Sequence, residues 1–308
     1  MTTPPVVVGV DDSIDARSAV LWAAAEAMLA GTSLLVVHSP ALPLSAPPAH
    51  LSAALRACDD VGSAVLDSAI ALARVSQPQL AVQRLLSHAD PVQALVDVSA
   101  EAQLVVLGAR TAPVGEMSLL ASKRLTVSAH AHCPVLLLGP VSSFSPPSAI
   151  SRVVVGAGTT RAGRAAVGFA AAEAARRAVP LHLVRLERPL ADGASAVAER
   201  LPGAEDELAE VALAEAAAVL RREHPGLVVV PVLAWGEAAD VLPGYSDGST
   251  VLVVGCHHSD DHWSTRLGPV ATSVVHRNRG PVVVVGHAWR RHERDSGAEP
   301  SVRYPVPT

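Results

Sequence analysis

Short apolar runs rich in Val and Leu alternate along the chain with longer stretches in which Ala mixes with charged residues. That is the pattern of strands buried on both faces and joined by helices. In the first half the runs fall at Val6–Val10, Leu34–His38, Ala81–Leu86, Leu104–Leu107 and Val135–Leu138. Ser13 carries a hydroxyl that can cap the first free amides of a helix, and Gly31 suits that helix's C-terminal turn. Five parallel strands with helical crossovers, an open doubly wound α/β sheet, are the expected result.

The pattern then repeats. One shift of 147 residues carries Val6-Val7-Val8-Gly9 onto Val153-Val154-Val155-Gly156 and the pentapeptide AAAEA of Ala23–Ala27 onto Ala170–Ala174. The same shift carries Leu34 to Leu181, Gly108 to Gly255 and Pro134-Val135 to Pro281-Val282, with no insertion at these anchors. Chance likeness of alanine-rich segments would not hold a single register. The sequence therefore predicts two α/β domains, residues 1–140 and 152–287, with a Ser- and Pro-rich linker at 141–151. A polar, unpatterned tail at 288–308 is expected to be largely disordered. The two equal lengths should fold alike as separate sheets, with corresponding loops at one rim.

Composition narrows the function. The chain has 308 residues, which fits two domains of about 150 residues each with its own core. Half the residues are hydrophobic but only 3% are aromatic, so the core must be built from Ala, Val and Leu. A net charge of -5 without a basic block gives no electrostatic footprint for nucleic acid or an anionic membrane. No apolar run reaches the eighteen or so residues of a membrane span, and the start lacks a signal-peptide pattern, so a cytoplasmic protein is expected. Cys58, Cys133 and Cys256 are odd in number and far apart, which fits reduced packing thiols.

Ligands of open parallel sheets sit beyond the carboxyl ends of the strands, where the winding direction switches. The loops to inspect are Val10-Asp11-Asp12-Ser13, Ser39 to Ala49, and Gly108 to Ser122. The third leaves a strand at Gly108 and is read as entering a helix at Ser122, where a hydroxyl and free amides can hold phosphate. Lys123, the only lysine in the chain, follows directly and either pairs with phosphate oxygens or is simply solvated.

VVVGVDDS at Val6 to Ser13, LLVVHS at Leu34 to Ser39, LVVLGAR at Leu104 to Arg110 and CPVLLLG at Cys133 to Gly139 resemble, at this spacing and found twice, the universal stress proteins in their tandem two-domain form. The resemblance covers both repeats. It implies a sheet order of 3-2-1-4-5 in each domain, pairing of the domains through their last strands as an internal pseudo-dimer, and a stress-response role; a further homodimer stays open. ATP-binding members carry a glycine, two residues, a second glycine, nine residues, then glycine and Ser or Thr. Placed on this chain, those positions hold Gly108, Thr111, Ala121 and Ser122, so two of three glycines are missing. The acid that contacts adenine is matched by Asp11 and the residue lining the base by Ser39, with Val10, Leu107 and Lys123 beside them. In the second copy Gly158 stands at the acid's position, Gly255, His258 and Gly268 at the three glycines, and Pro269 at the hydroxyl, where proline offers neither hydroxyl nor amide hydrogen.

Several strings imitate other chemistry. GYSDG at Gly244 to Gly248 matches a nucleophile elbow, but Pro243 precedes it and a strand follows, the wrong context for Ser246. GAG at Gly156 to Gly158 is a near-miss of a dinucleotide fingerprint, with Arg161 at the third glycine and Gly163 nearby. CHHSDDHW at Cys256 to Trp263 offers soft ligands without standard metal spacing. His38 and His88 stand at strand ends as structural histidines, with no carboxylate partner at fixed spacing. Asp11-Asp12-Ser13 lacks the glycine pair of an ATP pyrophosphatase loop, and no P-loop occurs. The expectation is a regulatory protein, not an enzyme, binding ATP or AMP in the first domain without turnover and acting on a protein partner not identifiable from sequence. The alternatives are a nucleotide-free interaction scaffold and, less favoured, an ATP-dependent enzyme of the same broad fold.

Overall fold

The computed structural model describes residues 3–40, 51–108, 117–143, 146–187, 204–256, 267–277, 279–286 and 289. In the first half the strands are β1 (Val6–Gly9), β2 (Leu34–His38), β3 (Val82–Leu86), β4 (Leu104–Leu107) and β5 (Val135–Leu137), alternating with helices α1 (Ile14–Leu29), α2 (Leu51–Ser76), α3 (Pro91–Ser99) and α4 (Met117–His130). The second half repeats the plan with β6 (Arg152–Gly156), α5 (Arg161–Arg177), β7 (Leu181–Glu187), α6 (Ala204–Glu223), β8 (Val229–Trp235), α7 (Ala238–Val241), β9 (Thr250–Cys256), α8 (Pro269–Arg277) and β10 (Val282–Gly286). Ser13 caps α1 by accepting from the Ala16 amide at 3.3 Å, and Thr160 caps α5 by accepting from Gly163 at 3.0 Å. At the far end of α1 Gly31 takes φ 63°, and its repeat partner Ala178 takes φ 53° at the end of α5.

The strands run in the order β3-β2-β1-β4-β5-β10-β9-β6-β7-β8. Each half is thus a parallel 3-2-1-4-5 sheet, but the expected pair of separate sheets is corrected to one sheet of ten strands. The join is antiparallel between β5 and β10, pairing Leu137 with Val282, Leu136 with Val283 and Val135 with Val284. Leu136 and Val283 are themselves repeat partners, so the pseudo-two-fold axis passes through that pair. The physical reason for the merger is that β5 and β10 are each an edge strand, with unpaired N–H and C=O groups that only another strand can satisfy along their length. Because the halves run antiparallel there, their carboxyl rims face opposite ends of the joined sheet, which corrects the single-rim expectation.

The cores merge as well. One apolar cluster joins Ala19 and Ala23 of α1 to Ala166 and Ala170 of α5, and extends under α2 and α6. A second, on the other face, joins Val127 of α4 to Val274 of α8 across Val135 and Val282. The linker is packed rather than loose. It holds 3-10 turns at Pro140–Ser143 and Pro147–Ala149, with Ser142 and Ile150 buried. Trp22 donates its Nε1 hydrogen to the Ser142 carbonyl at 3.3 Å. Its repeat partner Phe169 meets Trp289 edge-on, with centroids 5.8 Å apart, so one residue of the expected tail is held against the core. Residues 290–308 lie outside the described residues.

Candidate functional site

A cavity of ≈ 670 Å³ opens at the carboxyl ends of β1, β2 and β4, the switch point of the first half. That size falls within the roughly 300–1,000 Å³ of small-molecule sites. Its floor is Gly9 to Ser13, Val37 to Pro40, and Leu107-Gly108; α2 contributes Ala57, Cys58, Val61 and Val65, and α4 contributes Lys123, Arg124 and Val127. The α2 residues recur at helical spacing and form one mainly apolar wall, which the sequence reading missed. Cys58, expected to be a packing thiol, stands in that wall, while Cys133 and Cys256 are buried.

Most of the expected polar contacts already serve the fold. Asp11 Oδ1 accepts from the Ser13 amide at 3.0 Å and from the Ser13 hydroxyl, shaping the turn that starts α1. Val10 donates its amide to Val37 at 2.9 Å, and its carbonyl accepts from His38 Nδ1 at 2.8 Å, so that nitrogen carries a proton. His38 is thus the hydrogen-bonded structural histidine anticipated. Ser39 gives its hydroxyl hydrogen to the Ala89 carbonyl. Leu107 accepts from the Leu138 amide at 3.0 Å and offers a largely buried side chain to the cavity. His88, read as lacking a carboxylate, has one 3.6 Å away in Asp59 of α2, a partner that only the tertiary fold brings near.

Gly108 has a structural task. A Cβ there would lie 2.7 Å from the Asp15 carbonyl oxygen, so glycine lets β4 meet the first turn of α1. Gly255 does the same in the second half, 2.6 Å from the Ala162 carbonyl, and Ala162 is the repeat partner of Asp15. This glycine is retained where helix and strand touch, whatever the cleft binds.

The helix expected to begin at Ser122 begins at Met117. Ser122 lies beyond the first four free amides of α4 and is no helix-start anion site, a correction that follows from the chain already turning helical five residues earlier. The side chains of Ala121 and Ser122, and all of Thr111, lie outside the described residues. Lys123 is exposed on the cavity rim. The next residue, Arg124, was not singled out in the sequence. It lines the cavity, donates from Nη2 to the Leu138 carbonyl at 2.8 Å, and has a buried Nε with no hydrogen-bond partner among the described residues. Burial pulls this guanidinium down from its ordinary 12.5 to about 10, against the opposing pull of Asp15.

The second half keeps the frame but not these groups. The repeat partners of Asp15 and Arg124 are Ala162 and Ala271. Gly158 packs its backbone against Gly163, whose added Cβ would lie 2.6 Å from the Gly158 carbonyl, so the GAG string serves strand-to-helix contact. Ser246 of GYSDG is buried and accepts from the amides of Arg279 and Gly280 at 3.2 and 3.1 Å, a brace rather than an elbow. Of the run from Cys256 to Trp263 only Cys256 is among the described residues, and burial pushes its thiol up to about 11.

Comparison with known proteins decides the family. The model of the universal stress protein family matches twice, over residues 3–139 and 149–286. The chain belongs to the universal stress protein family. Two universal stress proteins of Mycobacterium tuberculosis are each 29% identical to it, aligning over 91% of this chain and 96% and 95% of their own lengths. The crystal structure of a universal stress protein from Archaeoglobus fulgidus has a TM-score of 0.71 at 14% identity, covering 93% of this chain and all of its own, and supports the fold alone. Membership accounts for the matched halves of this universal stress protein. No helix among its described residues is long and apolar enough to cross a membrane.

Proposed function

We propose that the chain is a cytoplasmic stress-response regulator that holds ATP or AMP in the cleft of its first half, binds it without turnover, and presents an altered surface to a protein partner. The observation that carries this reading is the ≈ 670 Å³ cavity at the first half's switch point, with carboxylates on the β1–α1 side and cations on the α4 side. An amphiphilic ligand with an aromatic base and an anionic end fits such a lining. By the family resemblance, Asp11 and Ser39 would be the residues that meet the base. The reading of binding without turnover rests on the lack of a recognisable general base in the sequence.

The test is to denature purified protein, assay the supernatant for adenine nucleotide, and titrate ATP and AMP against wild type, Asp11→Ala and Asp11→Asn by calorimetry. Carried-over nucleotide, or saturable binding below millimolar ATP with one site per chain, is expected. Asp11→Asn separates the base contact from the turn that Asp11 builds with Ser13. A wild type that carries no nucleotide and fails to bind at millimolar ATP would overturn the reading. A nucleotide-free interaction scaffold is then the better account. It is favoured by Thr111 and Ala121 at two positions where binding members have glycine.

A further inference from the structure

Arg124 is a largely buried cation on the cavity wall whose contacts within the fold do not use all of its donors. A guanidinium has five N–H donors and no acceptor. Nη2 supports the Leu138 carbonyl at the end of β5, Asp15 supplies the opposing charge, and the buried Nε meets no acceptor among the described residues. Nε is itself closed to solvent, so a ligand in the cavity would meet the terminal nitrogens instead. The guanidinium is a cation held in the cavity wall, where an anion is its natural complement.

Two further observations agree. The cavity's other charges are arranged by sign, with Asp11, Asp12 and Asp15 at the β1–α1 end and Lys123 beside Arg124 on α4. The second half has Ala162 and Ala271 in place of Asp15 and Arg124, so the charge pair is absent from its cleft as a unit.

We infer that Arg124 is the anion contact of the first cleft, donating to a phosphate oxygen of the ligand from its terminal nitrogens, with Asp15 and the Leu138 carbonyl holding the guanidinium in place. This rests on the adenine-nucleotide reading of the same cleft and assigns the group that distinguishes a nucleotide from its nucleoside. It also supplies what the displaced start of α4 takes away, because Ser122 no longer offers a helix-start amide. Charge-assisted hydrogen bonds of this kind are the strong ones, and a guanidinium matches phosphate geometry better than an ammonium does.

The experiment titrates adenosine, AMP and ATP against wild type, Arg124→Met and Arg124→Lys, with thermal melts as a folding control. Wild type should bind AMP at least about 10-fold more tightly than adenosine, the scale of one charge-assisted contact. Arg124→Met should weaken AMP and ATP by about 10- to 100-fold while leaving adenosine unchanged, and Arg124→Lys should recover part of the loss. Equal wild-type affinity for adenosine and AMP would overturn the anion contact while leaving the adenine site standing, and needs no variant. Equal losses for adenosine and AMP in Arg124→Met would make Arg124 a brace of the cleft wall and overturn it too. A wild type that binds none of the three ends both readings together.

Discussion

At the scale of single residues, the two halves test each other because every position has a partner. Gly31 and Ala178 end equivalent helices in the same left-handed conformation, at φ 63° and 53°, but only glycine adopts it without strain from a Cβ. Ala178→Gly should therefore stabilise the chain by about 1 kcal/mol, read as a rise of roughly 2 °C in the midpoint of thermal unfolding. An unchanged or lower midpoint would mean that the turn bears no such strain. Gly108 teaches the complementary lesson. Read in the sequence it is the first glycine of a phosphate motif, yet its closest neighbour is the Asp15 carbonyl, and Gly255 meets Ala162 in the same way. Arg124 was passed over for the opposite reason, since a motif aligned on Ser122 ends before it and only the fold reveals its buried Nε.

At the scale of elements, buried serines brace the approach to each final strand. Ser246 accepts the amides of Arg279 and Gly280 ahead of β10. Its repeat partner Ser99, at the end of α3, accepts the His132 amide at 2.8 Å ahead of β5 and donates to the Val96 carbonyl at 2.6 Å. Removing the Ser246 hydroxyl leaves the buried Gly280 amide unmet, so Ser246→Ala should cost about 1–3 kcal/mol in urea unfolding, and Ser99→Ala less because the His132 amide it serves is partly exposed, both leaving nucleotide binding by folded protein unchanged. A neutral Ser246→Ala would return that serine to the candidates for chemistry. The strands were legible in the sequence because Val and Leu runs buried on both faces have little alternative, and the helix cap at Ser13 was legible from the hydroxyl alone. The start of α4 was not, because the family spacing placed the helix at Ser122 while Met117 already begins it. The cavity wall of α2 escaped for a related reason: a helix's apolar stripe does not say whether it faces core or cleft.

At the scale of the whole molecule, the duplication was readable from one shift, whereas the pairing of the last strands, which the structure shows between β5 and β10, came only from the family resemblance, since edge pairing leaves no mark in hydrophobic period. Where the halves meet, Glu26 of α1 and its repeat partner Glu173 of α5 both contact Arg177, and all three side chains are at most 8% exposed. Arg176, about one-third exposed, also pairs with Glu173, and Arg177 reaches the Pro147 carbonyl of the linker at 3.5 Å. Burial pushes the Glu26 carboxyl up from 4.5 to about 7; the Glu173 charge adds to the rise and Arg177 opposes it. The folded chain then keeps a proton that the unfolded chain releases near 4.5, so this contribution is complete below that pH and is lost as pH climbs through 7. Unfolding free energy should fall by on the order of 3 kcal/mol from this source between about pH 5 and 8, and Glu26→Gln should flatten the slope. A slope unchanged in Glu26→Gln would remove the proton from this site.

The antiparallel seam gives the molecule a front and a back. Strands of the first half end at one rim and those of the second at the other, so the mouth of the first cleft and the matching end of the second half face away from each other. On the proposed reading the second copy would serve as a pedestal, and what that demands of it is β10 and the α5 face, not the loops at its far rim. A pedestal would tolerate Gly158 and Pro269 where a receptor would not.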